Sequence, residues 1–172
     1  MAHLDDLSEI KLVATDCDGV LTDGGMYYLD SGDELKRFHV LDGVGFQLLR
    51  EAGIKTAIIT TSSNPLIQKR ADKLKVDDLI LGTRDKLTAL GNLCLKYDFS
   101  LSEAAYIGDD IYDIPAIQAC GFGCVPGDAL EYVQKEAKYI TRREGGRGCF
   151  REVVDILINS NEKRSLSHQK GV

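Results

Sequence analysis

Ile10-Lys11-Leu12-Val13-Ala14-Thr15 runs directly into Asp16-Cys17-Asp18-Gly19-Val20-Leu21-Thr22-Asp23, so a β-rich apolar segment ends in two carboxylates and a glycine. Residues i and i+2 of an extended segment point to the same side, which lets Asp16 and Asp18 share one small volume while Gly19 turns the chain away. One acid that attacks beside another that handles protons is what phosphoryl transfer through an aspartyl-phosphate requires. A strand ending in a polar Asx turn would give the same string without any chemistry. What the rest of the chain brings to the same place decides between them.

Outward from this junction, short β-rich apolar runs alternate with amphipathic stretches of helical length. That alternation predicts an α/β fold, a doubly wound, mostly parallel sheet wrapped by helices. Strands are predicted at 11–16, 55–60, 76–81, 105–108 and 123–125, with a weaker one at 139–141. Helices are predicted at 43–52, stopping at Gly53, and from Pro65 behind an Asn64 cap. Others are predicted at 86–97 behind Asp85, then at 111–119, 129–135 and 148–158. Met26 to Leu29 and Glu34 to Val40, joined by Asp30-Ser31-Gly32-Asp33, read as a β-hairpin inserted at about 24–40. It presents Tyr27, Tyr28 and Phe38. From Asn161 the chain is polar and mildly basic with no apolar period, which predicts a mobile tail at 161–172 after a single domain at 1–160.

A chain of 172 residues with 44% hydrophobic content suits one packed core. The net charge is −6, and no lysine or arginine cluster with interleaved aromatics interrupts the body of the chain. Nucleic acid and anionic membranes are therefore not expected as partners. Cys17, Cys94, Cys120, Cys124 and Cys149 form no Cys-x-x-Cys pair, which fits reduced core thiols better than a zinc site. Residues 1–9 carry acids where a signal peptide needs a basic start, and no apolar run approaches the roughly 18 residues that span a bilayer. A cytoplasmic protein is expected.

Ligands of an open parallel sheet sit beyond the carboxyl ends of its strands. The second strand ends in Thr60-Thr61-Ser62-Ser63, whose hydroxyls and N–H groups can cradle phosphate oxygens. Lys86 opens the helix after the third strand, where a cation opposes the macrodipole; pairing with the attacking carboxylate and a phosphate would explain it. Gly108-Asp109-Asp110 with Asp113 closes the fourth strand. Acids this close repel unless a cation or hydrogen bonds neutralise them. Mg²⁺ suits such oxygens, and Asp109 with Asp16 could hold it, while helix capping accounts for Asp110. All four signals fall at one sheet edge, in the order acid pair, threonine, lysine, acid cluster.

That ordered set resembles the haloacid dehalogenase superfamily of phosphotransferases, whose four motifs match Asp16-x-Asp18, Thr60, Lys86 and Gly108-Asp109-Asp110. Gly32-Asp33-Glu34-Leu35-Lys36, Asp42-Gly43, and Gly145-Gly146-Arg147-Gly148 followed by Arg151-Glu152-Val153 extend the likeness over nearly the whole chain, toward its capless sugar-acid phosphate phosphatases. The resemblance implies a phosphomonoesterase with Asp16 as nucleophile and Asp18 as general acid, then base. It implies Mg²⁺ held by Asp16, Asp109 and the backbone carbonyl of Asp18, with Asp110 and Asp113 behind them. Thr60, Thr61 and Lys86 would bind the phosphoryl group. Asp18, the stretch His39-Val40-Leu41-Asp42-Gly43, Ser62, Arg70 and Arg147 would lie near the sugar acid.

From Asp16 to Thr60 there are 44 positions (60 minus 16), and from Thr60 to Lys86 there are 26 (86 minus 60). The hairpin and the expected helices and strand fill both, leaving no room for a cap domain. The hairpin is therefore expected to cover a neighbouring subunit's site in a homo-oligomer, which in the resembled family is a tetramer. Two departures bear on the substrate: Thr61-Ser62 stands where the family has Gly-Arg, and Leu41 where it commonly has a basic residue. A related sugar-acid phosphate of the nononate type, or another small phosphoester, is the enzymatic alternative. The non-enzymatic alternatives are a phospho-accepting receiver, which would carry its acceptor on the third strand, and a silent oligomerisation domain, which would not need both Asp16 and Asp18.

Overall fold

The computed structural model describes residues 7–169, with side chains described for residues 7–160. Leu12–Thr15 forms strand β1 and is buried throughout. A strand covered on both faces reads as a continuous apolar run rather than an alternating one, which is why this segment stood out. The hairpin follows as β2 (Tyr27–Tyr28) and β3 (Glu34–Leu35), and Thr22 bridges to Phe38 at its base. Then come α1 (Val40–Glu51), β4 (Lys55–Ile59), α2 (Pro65–Leu74), β5 (Asp78–Ile80) and α3 (Lys86–Lys96). The second half supplies β6 (Ala104–Ile107), α4 (Ile114–Ala119), β7 (Phe122–Val125), α5 (Glu131–Gln134), β8 (Tyr139–Ile140) and α6 (Cys149–Gln169).

Six strands pair in the order β5-β4-β1-β6-β7-β8, and every pair is parallel. Successive residues of β1 serve opposite layers. Val13 packs with Phe46 and Leu49 of α1, Ile67 of α2 and Phe150 of α6. Leu12 and Ala14 pack with Leu90 and Leu93 of α3, Ile117 of α4 and Val133 of α5. The expected doubly wound sheet is thus present, with α1, α2 and α6 on one face and α3, α4 and α5 on the other. The layer of α1 and α6 is closed by stacked rings of Phe46 and Phe150, 4.3 Å apart at 18°.

Chain order leaves β1 in opposite directions, toward β4 and β5 on one side and toward β6, β7 and β8 on the other. This reversal opens a crevice beyond the carboxyl end of β1, between the ends of β4 and β6. The hairpin and α1 fill the chain between β1 and β4, and α2 and β5 fill that between β4 and α3. No cap domain stands in either interval.

α4 and α5 are shorter than expected, at Ile114–Ala119 against 111–119 and Glu131–Gln134 against 129–135, and two helices run longer. α1 begins at Val40 rather than at 43, because the His39 imidazole accepts the Leu41 N–H at 3.3 Å and serves as an unusual cap. α6 continues in backbone to Gln169 rather than stopping at 158. The mobility expected of 161–172 concerns side chains and a terminus outside the described residues.

Candidate active site

Asp16 sits one residue past β1 and its N–H still bonds to Ile107 O at 2.8 Å, so the sheet itself fixes the backbone of the first acid. Its side chain is held at both oxygens: Oδ1 accepts the Cys17 N–H at 2.6 Å and Oδ2 meets Lys86 Nζ at 2.8 Å. Lys86, the first residue of α3, is buried, and its Nζ also lies 2.6 Å from Asp113 Oδ1. The unfavourable place of a cation at a helix N-terminus is explained by these two buried carboxylates. Burial alone would lower the Lys86 pKa, but Asp16 and Asp113 reverse the direction and hold it raised.

Asp113 is satisfied by hydrogen bonds and Lys86 rather than by a metal. Its Oδ1 accepts the buried Tyr106 hydroxyl at 2.7 Å, and its Oδ2 accepts the N–H groups of Asp109 and Asp110 at 3.1 and 3.0 Å. Asp110 caps the turn that follows, accepting the Ile111 N–H at 2.7 Å and the Tyr132 hydroxyl at 3.2 Å. Both thus stand behind the site, and the loop after β6 is a rigid scaffold for the remaining acid.

Asp109 is that acid. Its Oδ1 is buried without a hydrogen-bond partner, an arrangement that costs about 1–3 kcal/mol or more for a charged group. Burial, then the charges of Asp16 and Asp113, push its carboxyl up to about 8. Burial and Asp113 likewise push Asp16 up to about 7, against the pull of Lys86. Oxygens of Asp16, Asp109 and Asp113 lie within 4.8 Å of one another. Three carboxylates against the one ammonium of Lys86 leave two negative charges uncompensated, the deficit a divalent cation would fill. Hard oxygen donors with an orphaned lone pair suit Mg²⁺.

Asp18 lies on the open side of the same loop. Its Oδ1 accepts from Lys36 Nζ at 2.8 Å and from Thr22 Oγ1 at 3.2 Å. Thr60 closes β4 with its N–H on Ile80 O at 2.9 Å, and its hydroxyl accepts the Ser62 N–H at 3.1 Å. Thr61 beside it is exposed. Asp16, Thr60, Lys86 and Asp109 therefore follow β1, β4, β5 and β6, four neighbouring strands in space.

The expected sugar contacts are more scattered. Val40, Leu41 and Arg147 are exposed, and Arg147 pairs with Glu144 at 3.3 Å. Arg70 Nη2 donates to His39 O at 3.2 Å, its guanidinium lies 5.1 Å from the Phe38 ring centroid, and its Nε has no partner. Gly43 lets Arg70 approach α1: a methyl group there would stand 3.1 Å from Nη2. Asp42 is buried, with Oδ1 accepting the Arg151 N–H at 3.0 Å in the first turn of α6 and Oδ2 unpartnered. Lys36, Thr22 and Tyr106 were not singled out as site residues from sequence. The Gly32 to Lys36 string carried the only signal for Lys36.

The haloacid dehalogenase-like hydrolase family matches residues 78–149, from β5 to the start of α6. The 3-deoxy-D-manno-octulosonate 8-phosphate phosphatase of Haemophilus influenzae is 38% identical over 160 residues, covering 93% of this chain and 89% of that protein. A crystal structure of the Moraxella catarrhalis enzyme of that name, in complex with magnesium ion, phosphate ion and KDO, superposes with a TM-score of 0.89 at 38% identity, covering 98% of this chain and 99% of that one. The cobalt-bound Haemophilus influenzae phosphatase gives 0.88 at 37% identity, over 94% and 95% of the two chains. A doubly wound sheet with an Asp-x-Asp loop, a buried lysine and an acid cluster at its switch point is the architecture of a haloacid dehalogenase-like hydrolase. Within that class, the chain belongs to the 3-deoxy-D-manno-octulosonate 8-phosphate phosphatase family.

Proposed function

We propose that this protein is a Mg²⁺-dependent phosphomonoesterase that converts 3-deoxy-D-manno-octulosonate 8-phosphate to the free sugar acid and phosphate. The observation that carries the chemistry is the buried Lys86–Asp16 pair at 2.8 Å beside the orphaned Oδ1 of Asp109. The near full-length relatives of that name support the substrate.

In this reading Asp16, pinned by Cys17 N–H and Lys86, attacks phosphorus in line with the departing ester oxygen. Asp18 gives that oxygen its proton, then takes one from the water that hydrolyses the aspartyl-phosphate, returning Asp16 as a carboxylate. Lys86 and Thr60 bind the phosphoryl oxygens, with Thr61 at the rim. Asp16, Asp109 and the Asp18 carbonyl would hold Mg²⁺, which when bound neutralises charge on the phosphoryl group and among the acids. The His39 to Gly43 stretch, Ser62, Arg70 and Arg147 serve the sugar acid. Ser62 in place of an arginine removes a bidentate partner for a carboxylate, and the second reading is a related sugar-acid phosphate of the nononate type or another small phosphoester.

The exposed apolar hairpin supports assembly. Met26, Tyr28 and Leu35 are 68%, 61% and 50% exposed, and such a patch on an otherwise acidic surface suits a protein interface. We take the assembly to be a cytoplasmic homotetramer in which the hairpin covers a neighbour's site. No described helix is long and apolar enough to cross a membrane.

The test is phosphate release with Mg²⁺ from sugar-acid phosphates, hexose phosphates and nucleotides. Preference for the octulosonate phosphate, lost in Asp16→Asn, is expected. Turnover by Asp16→Asn near the wild-type rate would remove Asp16 as the nucleophile.

A further inference from the structure

The hairpin sends one charged side chain inward. Lys36 directly follows β3 and its side chain is only 7% exposed, with Nζ at 2.8 Å from Asp18 Oδ1 and 3.0 Å from Glu34 Oε1. An ammonium on an exposed hairpin would ordinarily stay in water, where its hydration and rotamer freedom are kept. Here two carboxylates fix it instead, Asp18 from the loop after β1 and Glu34 from β3, so the hairpin and that loop are tied through Lys36.

A second donor converges on the same atom. Thr22 is buried, lies in the antiparallel bridge to Phe38, and places Oγ1 at 3.2 Å from Asp18 Oδ1. No described residue donates to Asp18 Oδ2. A carboxyl with two donors on one oxygen is fixed in rotation and presents the other oxygen to whatever enters the cleft.

We propose that Lys36 is a positioning residue: with Thr22 it clamps Oδ1 of Asp18, so that Oδ2 alone exchanges the proton of the reaction. This rests on the phosphomonoesterase reading above. The proton leaves Oδ2 for the ester oxygen as the bond from that oxygen to phosphorus breaks. Oδ2 regains one from water as the water oxygen bonds phosphorus and the Asp16 acyl-phosphate bond opens. Lys36 itself gives up no proton, and its contribution is to hold an acid whose transfer is worth roughly 10²–10⁴ in rate.

The test compares Lys36→Met and Lys36→Arg with wild type on the best sugar-acid phosphate and on p-nitrophenyl phosphate, whose leaving group departs without a proton. Lys36→Met is expected to lower kcat on the sugar-acid phosphate roughly 10- to 100-fold, with KM nearly unchanged and an unchanged assembly mass. Lys36→Arg should recover most of the loss. On p-nitrophenyl phosphate the first equivalent of phenolate should appear at the wild-type rate and later turnover should slow, giving a burst. An unchanged kcat in Lys36→Met, a rise in KM alone, or a burst slowed as much as turnover would each overturn the assignment. A wild-type protein inert toward every phosphoester overturns the functional reading and this one with it, whereas an active wild type with an indifferent Lys36→Met overturns this inference alone.

Discussion

Gly19 lies directly against the carboxylate of Asp109: a methyl group built on its Cα would meet Asp109 Oδ2 at 2.0 Å. Gly19 also has φ +87, a left-handed conformation that costs an L-residue about 1–2 kcal/mol. Two loops, one after β1 and one after β6, are thus in register at a point where no side chain fits.

Gly19→Ala is therefore expected to push Asp109 away from Asp16 by about an ångström, a displacement that can cost on the order of 100-fold in rate. Mg²⁺ affinity should fall with it. Isothermal titration with Mg²⁺ beside steady-state kinetics checks both, and a variant with wild-type affinity and rate would show that the loops tolerate separation.

Among the described residues, Lys86 is the only cation bonded to both Asp16 and Asp113. Lys86→Met keeps the volume but leaves two buried carboxylates unpaired, which should cost about 3–5 kcal/mol as well as activity. Tyr106→Phe removes one hydrogen bond to Asp113 and should cost about 1.5–3 kcal/mol. Denaturant unfolding at pH 8 reads both; a Lys86→Met protein as stable as wild type would contradict the electrostatic account of its burial.

The raised carboxyls of Asp109, to about 8, and Asp16, to about 7, make stability depend on pH and metal together. Between their ordinary values near 3.8 and these raised ones, the folded chain keeps protons that the unfolded chain has lost. Stability contributed by these groups must therefore fall as pH rises through that window. Mg²⁺ binds the deprotonated carboxylates, so its effect on Tm should grow from pH 5 to pH 8. Asp109→Asn should raise the Tm of the metal-free protein at pH 8 and abolish most of the Mg²⁺ effect. Calorimetry with and without Mg²⁺ decides, and a Mg²⁺ shift independent of pH would remove the linkage.

The exposed Met26, Tyr28 and Leu35 are expected to be buried between subunits. A Met26→Asp/Tyr28→Asp double variant should lose the oligomer in light scattering while keeping its circular dichroism. An unchanged mass would place the interface elsewhere.

The strands were legible because a parallel sheet covered on both faces demands uninterrupted apolar runs, and Leu12–Thr15 is such a run. Asp16, Thr60 and Asp109 were legible because each stands just past one of those runs, and Lys86 because it opens the helix after another. What could not be read were contacts between elements far apart in sequence. Asp113 reaches Lys86 across 27 positions and Lys36 reaches Asp18 across 18, and only the register of the packed helices and hairpin brings them together. The acid cluster after β6 pointed to a metal at Asp109 with Asp110 and Asp113 behind it, but not to the partners that hold Asp113, namely Lys86, Tyr106 and two backbone N–H groups. The start of α1 was missed because histidine is a poor cap, so nothing in the local sequence marked it.

Asp16, Thr60 and Asp109 take their places from the ladder of β1, β4 and β6, whereas the hairpin stands outside that ladder and pairs only with itself and Thr22. On the proposed function, the attacking acid and the metal-holding acid are thus set by the sheet, and the hairpin reaches the site through Lys36 on Asp18. Exchanging the hairpin for one of different length or side chains should alter which esters are admitted and leave the bond-breaking apparatus intact, provided the graft retains a lysine where Lys36 now reaches back.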